Sequence, residues 1–343
     1  MVDASTDFYK HVDNFAKFSH VGWRHICGNE GLLSKVFVTI SIPTYNRPDT
    51  LKEAVDSALT QEGYDDYCVV VVDNDPADGT ETEQLIMSYN NEKLLYYKNN
   101  ENIGMFGNQN RCFEIPQSEY VLMLHDDDII VPGYLKECFP ILKSNDIDGL
   151  QPASVKWNAR KTPLERVVID SSKKGKLKRY YDLDNYWSFK TGSQTGGIYK
   201  RSAVLDVGGY NSDYYPTSDY CLGVQLMEKY RIYTYSKQLI FYRVGENASM
   251  KQETLELFVY NDHFLRRQIL KRIGVYNWVA KLLLSYCAYT QFEGLKSMFN
   301  NALTFDFNRI SVGYRCPFAL MVPLRIGVMC RLFIYKLFCL KTK

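Results

Sequence analysis

The most informative segment of this 343-residue chain reads Val121-Leu122-Met123-Leu124-His125-Asp126-Asp127-Asp128. Its first four residues form a continuous apolar run, which is typical of a strand buried on both faces of a parallel sheet. Its last three residues are adjacent carboxylates, and these repel one another unless a cation or a proton neutralises them. The segment therefore predicts a buried strand that ends in an acidic loop.

Three more apolar runs precede this one, and helical patterns separate them. The predicted strands cover residues 36–42, 68–72, 94–97 and 120–124, and the predicted helices cover 49–60, 80–89 and 104–113, with another starting at Pro132. Strands that alternate with helices predict an α/β fold with a doubly wound, mainly parallel sheet flanked by helices. Ligands bind such sheets beyond the carboxyl ends of the strands, and the polar clusters of this sequence fall there.

The sequence divides into three regions. Residues 1–34 have no clear period and are an N-terminal extension of unknown role, residues 35–250 carry the alternating pattern, and residues 251–343 return to helical patterning. After Asp306 the chain has seven basic residues and no acidic one, which favours an anionic partner for this end. We expect a helix that lies in the interface of an anionic membrane; a helix packed against protein is the alternative.

Composition favours a folded protein in a reducing compartment. Hydrophobic residues make up 46% of the chain, which is enough for a sizeable core. The nine cysteines are scattered singly without a C-x-x-C pair, which is typical of reduced thiols rather than of disulfides or a zinc site. The first residues lack the apolar core of a signal peptide. We therefore expect a cytoplasmic protein, and the net charge of +2 gives no reason to expect a nucleic-acid partner.

The acidic loop has two interpretations. Asp127 and Asp128 offer the oxygen ligands that Mg²⁺ or Mn²⁺ prefers, and an ion there would neutralise a diphosphate leaving group. Alternatively, the three carboxylates form a solvated turn that caps the next helix. The apolar strand before the loop and the polar clusters at neighbouring strand ends favour the metal site.

A second polar cluster, residues 73–80, follows the predicted strand 68–72. A carboxylate at a strand end, such as Asp73, can accept the imide N–H of uracil. An EF-hand is excluded because Ala77 occupies a ligand position and Gln84 replaces the bidentate glutamate. An Asx turn remains the alternative.

Two further clusters contain glycine. Gly104, in Asn102-Ile103-Gly104, allows the backbone to approach a ligand closely, whereas Arg111 either pairs with phosphate or lies on a solvated helix face. Gly208-Gly209-Tyr210 is followed by Asp219, which in isolation is more typical of a helix cap. The sequence has no G-x-S-x-G, P-loop, H-E-x-x-H or G-x-G-x-x-G motif, so hydrolase, kinase-like and dehydrogenase functions lose their main support.

In order and spacing, these clusters resemble the motifs of glycosyltransferase family 2 over residues 36–249. The segments that carry the resemblance are 42–47, 71–80, Asn102-x-Gly104 with Asn110, 125–128 followed by Pro132, and Gly208-Gly209-Tyr210 with Asp219. The resemblance implies the GT-A fold, with residues 35–250 as the catalytic domain.

The resemblance also implies a role for each matching residue. Asp219 would be the catalytic base, and Asp127 and Asp128 would bind a divalent metal, Mn²⁺ or Mg²⁺. The nucleotide-sugar-binding residues would be Pro43, Thr44, Tyr45, Asn46, Arg47, Asp73, Asn74, Asn102, Gly104, Asn110 and Asp126. The implied reaction is inverting transfer by a single displacement, with a UDP-sugar as the favoured donor.

The sequence departs from the family pattern at four positions. His125 stands where the first aspartate of the DXD element is usual, and Gln109 replaces a frequent arginine. Ser218 lies where an acid is common, and Gly245 lies where some relatives carry a metal-binding histidine. Asp127 is therefore the safer metal ligand.

Family members of this size often build bacterial surface polysaccharides, such as O-antigen or capsule, on lipid-linked acceptors. The resemblance thus implies a glycan or lipid-linked acceptor and a place on the inner face of the cytoplasmic membrane. Two other functions stay open. A sugar-nucleotide pyrophosphorylase would need a glycine-rich basic loop near the first strand, which the sequence lacks, and a non-catalytic nucleotide-sugar-binding protein would lack the base.

Overall fold

The computed structural model describes residues 6–167, 174–179, 195–244 and 252–272, and the single positions 169, 274, 284, 287, 288 and 291. The chain divides into two compact units, Tyr9–Asn247 in one and Met1–Phe8 with Ala248–Lys343 in the other. Gly245 and the basic region after Asp306 lie outside the described residues.

The unit Tyr9–Asn247 is built on a sheet of ten strands. They are β1 (Trp23–Cys27), β2 (Val38–Thr44), β3 (Tyr67–Asp73), β4 (Leu94–Asn99), β5 (Tyr120–Met123), β6 (Ile129–Ile130), β7 (Gly149–Trp157), β8 (Leu177–Arg179), β9 (Gly197–Lys200) and β10 (Ile232–Arg243). Their order across the sheet is β1-β4-β3-β2-β5-β9-β7-β10-β6, with β8 beside β10. Strands β4, β3, β2 and β5 run parallel, as do β7 and β10, whereas β1, β6, β8 and β9 are antiparallel to their neighbours.

Six α-helices belong to the described part of this unit. They are α1 (Pro48–Leu59), α2 (Glu81–Met87), α3 (Gly104–Glu114), α4 (Tyr134–Asn145), α5 (Arg201–Asp206) and α6 (Ser218–Lys229). Short 3₁₀ turns cover Ala16–Phe18, Glu30–Leu32, Leu164–Arg166 and Ser212–Tyr214. The predicted α/β fold with a mostly parallel central sheet and flanking helices is confirmed.

The central strands are buried along their whole length because both faces of the sheet are covered. Every residue of β3 is buried. Val69 and Val71 join one core cluster with Ile40 and Leu122, and alternation along a strand turns Val70 to the opposite face. Burial of each aliphatic side chain contributes about 1.5–3 kcal/mol to the stability of the fold. The core therefore holds these strands, and the loops that follow them, in place.

One predicted helix start is wrong. Helix α4 begins at Tyr134 rather than at Pro132, because the Pro132 carbonyl accepts the Glu62 N–H at 2.6 Å and holds the chain in a loop. Two other starts lie close to the predicted ones. Helix α1 begins at Pro48, and α2 begins after Thr80, whose side chain caps it.

Part of the predicted N-terminal extension belongs to the sheet, because β1 pairs with β4. Before β1, the Asn14 N–H donates to the Gly208 carbonyl at 3.1 Å. Arg111 on α3 donates to two carbonyls in the segment 18–21. The compact unit therefore starts at Tyr9 and not at residue 35.

The other unit contains one long described helix, α7 (Gln252–Arg272). It buries apolar side chains such as Leu255, Val259 and Leu265, together with polar ones such as Asp262. Among the parts of the chain that the structure describes, no helix combines the length and the apolar composition needed to cross a bilayer.

Candidate active site

The carboxyl ends of β2, β3 and β5 bring three polar segments to one edge of the sheet. The Thr44 hydroxyl at the end of β2 donates to Asp126 Oδ2 at 2.9 Å. The Asn74 N–H after β3 donates to the Thr44 carbonyl at 3.0 Å. Because the three strands are parallel neighbours, the segments 43–47, 73–75 and 125–128 lie side by side where such sheets bind ligands.

The loop 43–47 brings a positive charge to the acidic loop. Arg47 Nη1 lies 3.1 Å from Asp127 Oδ2 and 3.4 Å from Asp126 Oδ1. Asn46 has a φ of 53°, a left-handed conformation that asparagine tolerates better than most residues. The Tyr45 ring beside it is 48% exposed. This loop therefore presents a guanidinium and an exposed aromatic ring at the sheet edge.

Two carboxyl groups of the acidic loop have raised pKa values. Burial raises the pKa of Asp126 to about 6, even though the Arg47 charge acts in the opposite direction. Burial and the neighbouring Asp127 charge raise the pKa of Asp128 to about 7. Burial therefore disfavours the charged form of both carboxyl groups, and a nearby cation would offset this cost.

Asp128 has one carboxylate oxygen without a hydrogen bond. Its Oδ1 accepts the Arg243 N–H at 2.8 Å, whereas its buried Oδ2 accepts no hydrogen bond within 3.5 Å, although the nearby Thr195 hydroxyl lowers the pKa of this carboxyl group. Ligand atoms of His125, Asp127 and Asp128 all lie within 4.8 Å of one another, and burial lowers the pKa of His125, which favours its neutral form. A buried, unpartnered carboxylate oxygen costs free energy unless a cation binds it. These residues therefore fit a divalent metal ion.

Arg243, at the end of β10, is a functional candidate that the sequence did not reveal. Its Nε donates to the Asp127 carbonyl at 2.8 Å, and its guanidinium pairs with Glu53 on α1. The guanidinium carbon also lies 4.3 Å from the centre of the Trp157 ring. Arg243 therefore joins the acidic loop to α1 and β7. A lone arginine outside any motif gives no sequence signal.

Four asparagines tie the loops after β3 and β4 to α3. Asn74 donates to Asn102 Oδ1 at 2.7 Å and accepts from Asn99 at 3.1 Å. Asn99 also donates to Asn108 Oδ1 at 2.8 Å, and Asn108 donates to the Val72 carbonyl at 3.0 Å. Asn74 and Asn102, both expected to bind the nucleotide-sugar, therefore also hold these loops in place.

Asp73, expected to contact the base, lies inside the protein. It is 0% exposed, accepts the Tyr96 hydroxyl at 2.7 Å and the Asp75 N–H at 3.0 Å, and lies 4.0 Å from Lys98 Nζ. Burial raises its pKa despite these contacts. Asp75, two residues later, is half-buried and is a second carboxylate available at this strand end.

The remaining polar residues of α3 differ in their surroundings. Gly104 begins the helix with a φ of 74° and has open space beside its Cα, which permits close approach of a ligand. The Asn110 side chain is buried and bonds both backbone groups of Tyr210, at 2.7 and 2.9 Å. Arg111 is 1% exposed and pairs with Glu114, so it lies neither against solvent nor where phosphate could reach it.

Asp219 is the second residue of α6 and is half-buried. Its Oδ1 accepts the Tyr220 N–H at 2.9 Å. Burial, and then the Asp219 charge, raise the pKa of the Tyr199 phenol on β9, so Asp219 lies near that strand.

A chain of hydrogen bonds leads from Tyr199 to the acidic loop. The Tyr199 hydroxyl donates to Gln151 Oε1 at 3.1 Å, and the Gln151 amide donates to the Thr195 carbonyl at 3.2 Å. The Thr195 hydroxyl in turn accepts the His125 N–H at 3.2 Å. The surroundings of Asp219 are thus linked to the acidic loop through β9 and β7.

Fold and site together define a GT-A type glycosyltransferase, with a mostly parallel sheet and an acidic loop at the carboxyl end of a central strand. The chain belongs to glycosyltransferase family 2, since the model of the family described as Glycosyl transferase family 2 matches residues 39–208. This confirms the resemblance found in the sequence.

Several curated proteins are similar to this chain. MT1568, an uncharacterized protein of Mycobacterium tuberculosis, is 24% identical over 72% of this chain and 76% of its own length. MJ1057, an uncharacterized glycosyltransferase of Methanocaldococcus jannaschii, is 31% identical over 35% of this chain and 42% of its own length. A GalNAc(5)-diNAcBac-PP-undecaprenol beta-1,3-glucosyltransferase of Campylobacter jejuni is 28% identical over 29% of this chain and 32% of its own length. The last two matches span less than half of those relatives.

Solved structures share the fold. S. aureus TarS 1-349 in complex with UDP-GlcNAc has a TM-score of 0.50 and 17% identity, over 78% of this chain and 83% of that chain. The mannosyltransferase PcManGT from Pyrobaculum calidifontis, in complex with GDP-Man and Mn²⁺, has a TM-score of 0.51 and 16% identity, over 84% of this chain and 81% of that chain.

Proposed function

We propose that this glycosyltransferase is metal-dependent and inverting, and that it moves a sugar from a nucleotide-sugar to a hydroxyl of a glycan or lipid-linked acceptor. The observation that carries the proposal is the acidic loop after β5. There the unpartnered Oδ2 of buried Asp128 lies near Asp127, and the Asp127 carboxylate in turn pairs with the Arg47 guanidinium. These groups supply metal ligands and positive charge at the edge where the sheet binds ligands.

A sugar nucleotide is the donor that the comparisons support. TarS was solved with UDP-GlcNAc, and PcManGT with GDP-Man and Mn²⁺. These two proteins carry different bases, so the preference for a UDP-sugar rests on the resemblance of residues 71–80 to the family's second motif. The PcManGT complex supports Mn²⁺ or a similar divalent ion as cofactor.

Asp127 and Asp128 would hold the ion, Mn²⁺ or Mg²⁺. When bound, it would stabilise the negative charge that develops on the departing nucleoside diphosphate. Arg47 lies within 3.4 Å of Asp126 and Asp127 and brings a second, protein-derived positive charge to the same place. Asp126, held by the Thr44 hydroxyl, would contact the nucleotide-sugar.

Asp219 would act as the general base. The acceptor hydroxyl loses its proton to the Asp219 carboxylate while its oxygen attacks the anomeric carbon. The bond from that carbon to the diphosphate oxygen breaks as the new glycosidic bond forms, and the nucleoside diphosphate leaves with the bonding electrons. Attack opposite the leaving group inverts the anomeric configuration.

The purified protein, tested with a panel of nucleotide-sugars and Mn²⁺, provides the test of this function. A donor at about 100 times its dissociation constant is expected to add ~2.7 kcal/mol of stability, which a thermal shift detects. The stabilising donor should then release nucleoside diphosphate, and EDTA should stop the release. A pyrophosphorylase would instead need pyrophosphate and form a nucleoside triphosphate, and a binding protein would release nothing.

Recognition of the base by Asp73 stays a prediction. Asp73→Ala is expected to weaken donor affinity, measured by titration, more than it lowers turnover. The buried contact of Asp73 with Tyr96 also supports the fold, so the titration needs protein that has been shown to be folded. Asp75→Ala is the matched variant at the same strand end. If only Asp75→Ala weakens UDP binding, Asp75 rather than Asp73 contacts the base. Tighter binding of GDP than of UDP by the wild type would contradict the choice of uridine.

The acceptor and the location also belong to the proposal. The Campylobacter relative is named for an undecaprenol-linked acceptor, which supports a lipid-linked acceptor and a role in bacterial polysaccharide synthesis. An enzyme with such an acceptor would work at the inner face of the cytoplasmic membrane. The basic region after Asp306 would attach it there, each Lys or Arg adding about 1 kcal/mol near an anionic leaflet.

Vesicle sedimentation tests the attachment. The full-length protein is expected to sediment with anionic vesicles at low salt, and a chain ending at Asn308 is expected to stay in the supernatant while it still hydrolyses donor. Neutral vesicles are the control. A full-length protein that does not bind anionic vesicles would contradict the membrane role and favour a tail packed on protein.

A further inference from the structure

His125 lies between two side chains that each have a buried oxygen without a hydrogen bond. Its Nδ1 is 3.8 Å from Asp128 Oδ2, and its Nε2 is 3.5 Å from Gln109 Nε2. Asp128 Oδ2 and Gln109 Oε1 are the two unpartnered oxygens. Such atoms call for an explanation, because most buried polar groups in folded proteins are hydrogen-bonded.

The distance from His125 to Asp128 excludes one simple explanation. At 3.8 Å the imidazole N–H is too far from Oδ2 for a hydrogen bond. Two ligands of one divalent ion, each about 2.1–2.2 Å from it, lie roughly 3.0–3.6 Å apart in octahedral or tetrahedral geometry. The observed separation would close by about 0.3 Å to reach the tetrahedral value and by about 0.8 Å to reach the octahedral one.

Gln109 can set the tautomer that a ligand requires. The nitrogen and oxygen of a side-chain amide have the same shape, and their assignment follows from the hydrogen bonds they make. With the Gln109 amide turned over, its oxygen lies 3.5 Å from His125 Nε2 and can accept that N–H, while the amide NH₂ group takes the position where the oxygen had no partner. The His125 Nδ1 lone pair then faces Asp128 Oδ2, an arrangement that is stable with a cation between them.

We propose that His125 Nδ1 is a nitrogen ligand of the divalent ion held by Asp127 and Asp128, and that Gln109 orients the imidazole. This inference rests on the proposed metal-dependent function and specifies the site's chemistry. Ligating histidines commonly donate their other N–H to an oxygen acceptor, which fixes the ring and its tautomer. An imidazole ligand favours transition metals over Mg²⁺, whereas a site made of carboxylates alone suits Mg²⁺ as well as it suits Mn²⁺. The site therefore prefers Mn²⁺ or Co²⁺ to Mg²⁺.

Pulsed electron paramagnetic resonance on the full-length protein loaded with Mn²⁺ detects the nitrogen directly. The wild type is expected to show ¹⁴N modulation from a coordinated imidazole. His125→Asp keeps a ligand oxygen and is expected to bind Mn²⁺ without that modulation. His25→Ala, which removes a histidine on the edge strand β1, is the matched control and is expected to leave the modulation unchanged.

Affinity measurements test Gln109 and the metal preference. Gln109→Leu removes the acceptor of the imidazole N–H and is expected to weaken Mn²⁺ binding ~10–100-fold, as loss of outer-shell partners commonly does. Gln109→Glu keeps an acceptor oxygen and is expected to stay close to the wild type. In competition titrations, the preference of Mn²⁺ over Mg²⁺ should shrink in His125→Asp.

The outcomes separate this inference from the proposed function. Mn²⁺ that binds the wild type without ¹⁴N modulation, or fails to bind it, overturns the nitrogen ligand even if EDTA stops donor hydrolysis. Modulation that is lost in His125→Asp and kept in His25→Ala supports the ligand, whether or not transfer is detected. Circular dichroism identifies variants that are folded, and Gln109→Leu gives an independent test if His125→Asp does not fold.

Discussion

Asp219→Asn is expected to lower turnover by ~10²–10⁴-fold, the range that a positioned general base commonly contributes. Asparagine keeps the size of the side chain and can still accept the Tyr220 N–H, as the Asp219 Oδ1 does at 2.9 Å. It cannot take a proton from the acceptor hydroxyl. Because Asp219 belongs to α6 and not to the loops after β2 and β3 that are expected to bind the donor, donor affinity should change little.

The measurement is nucleoside diphosphate release at saturating donor, together with a donor binding titration. Asp213→Asn is the matched control, because Asp213 lies in the 3₁₀ turn that precedes α6, is exposed and pairs at the surface with Lys17, a kind of contact worth little to stability. A loss of turnover in both variants would indicate a structural effect. Turnover near that of the wild type in Asp219→Asn would rule out the base.

Asp127→Ala is expected to abolish metal-dependent transfer and to leave the fold intact. Asp127 supplies one of the oxygens of the proposed metal site, and its side chain contacts Arg47 at 3.1 Å. It is not part of the buried core, so its loss removes no packing that holds the sheet. The Asp127 carbonyl that Arg243 binds is retained in the variant.

Mn²⁺ binding, product formation and thermal unfolding should be measured on the same Asp127→Ala preparation. The expected pattern is an unfolding temperature close to that of the wild type, no bound Mn²⁺ and no product. Asp65→Ala, at a highly exposed carboxylate, is the control for loss of an acidic side chain. Normal EDTA-sensitive activity in Asp127→Ala would show that the metal site lies elsewhere.

The central strands could be predicted because burial on both faces leaves an unmistakable signal. Val69 to Val72 form an uninterrupted apolar run, and the acidic loop follows an equally apolar strand. Strands β7, β9 and β10 were not predicted, because their residues mix aromatic and polar types and their partners lie far away in sequence. The antiparallel pairing that extends the sheet beyond β5 depends on tertiary contacts, and the local sequence pattern does not predict it.

The segments of the candidate site could be located, but the direction of each side chain could not. Asp73 comes at a predicted strand end, yet it turns inward to Tyr96 and not to the edge. The charge of Arg111 predicts contact with solvent or with phosphate, whereas the structure buries the side chain beside Glu114. Arg243 reaches the acidic loop from 115 residues away in sequence. Such pairings follow from the packed sheet, and no single-sequence motif encodes them.

Recognisable family sequence starts at residue 39, yet the folded module starts earlier. Arg111 sits in the middle of α3 and finds two of its acceptors in the segment 18–21. A hydrogen bond to a charged group commonly contributes ~1.5–3 kcal/mol, so loss of these two acceptors would remove a large share of the stability of a whole domain. Anyone who grafts this compact unit onto another protein, or shortens it for crystallisation, therefore needs to keep the chain from Tyr9 onward.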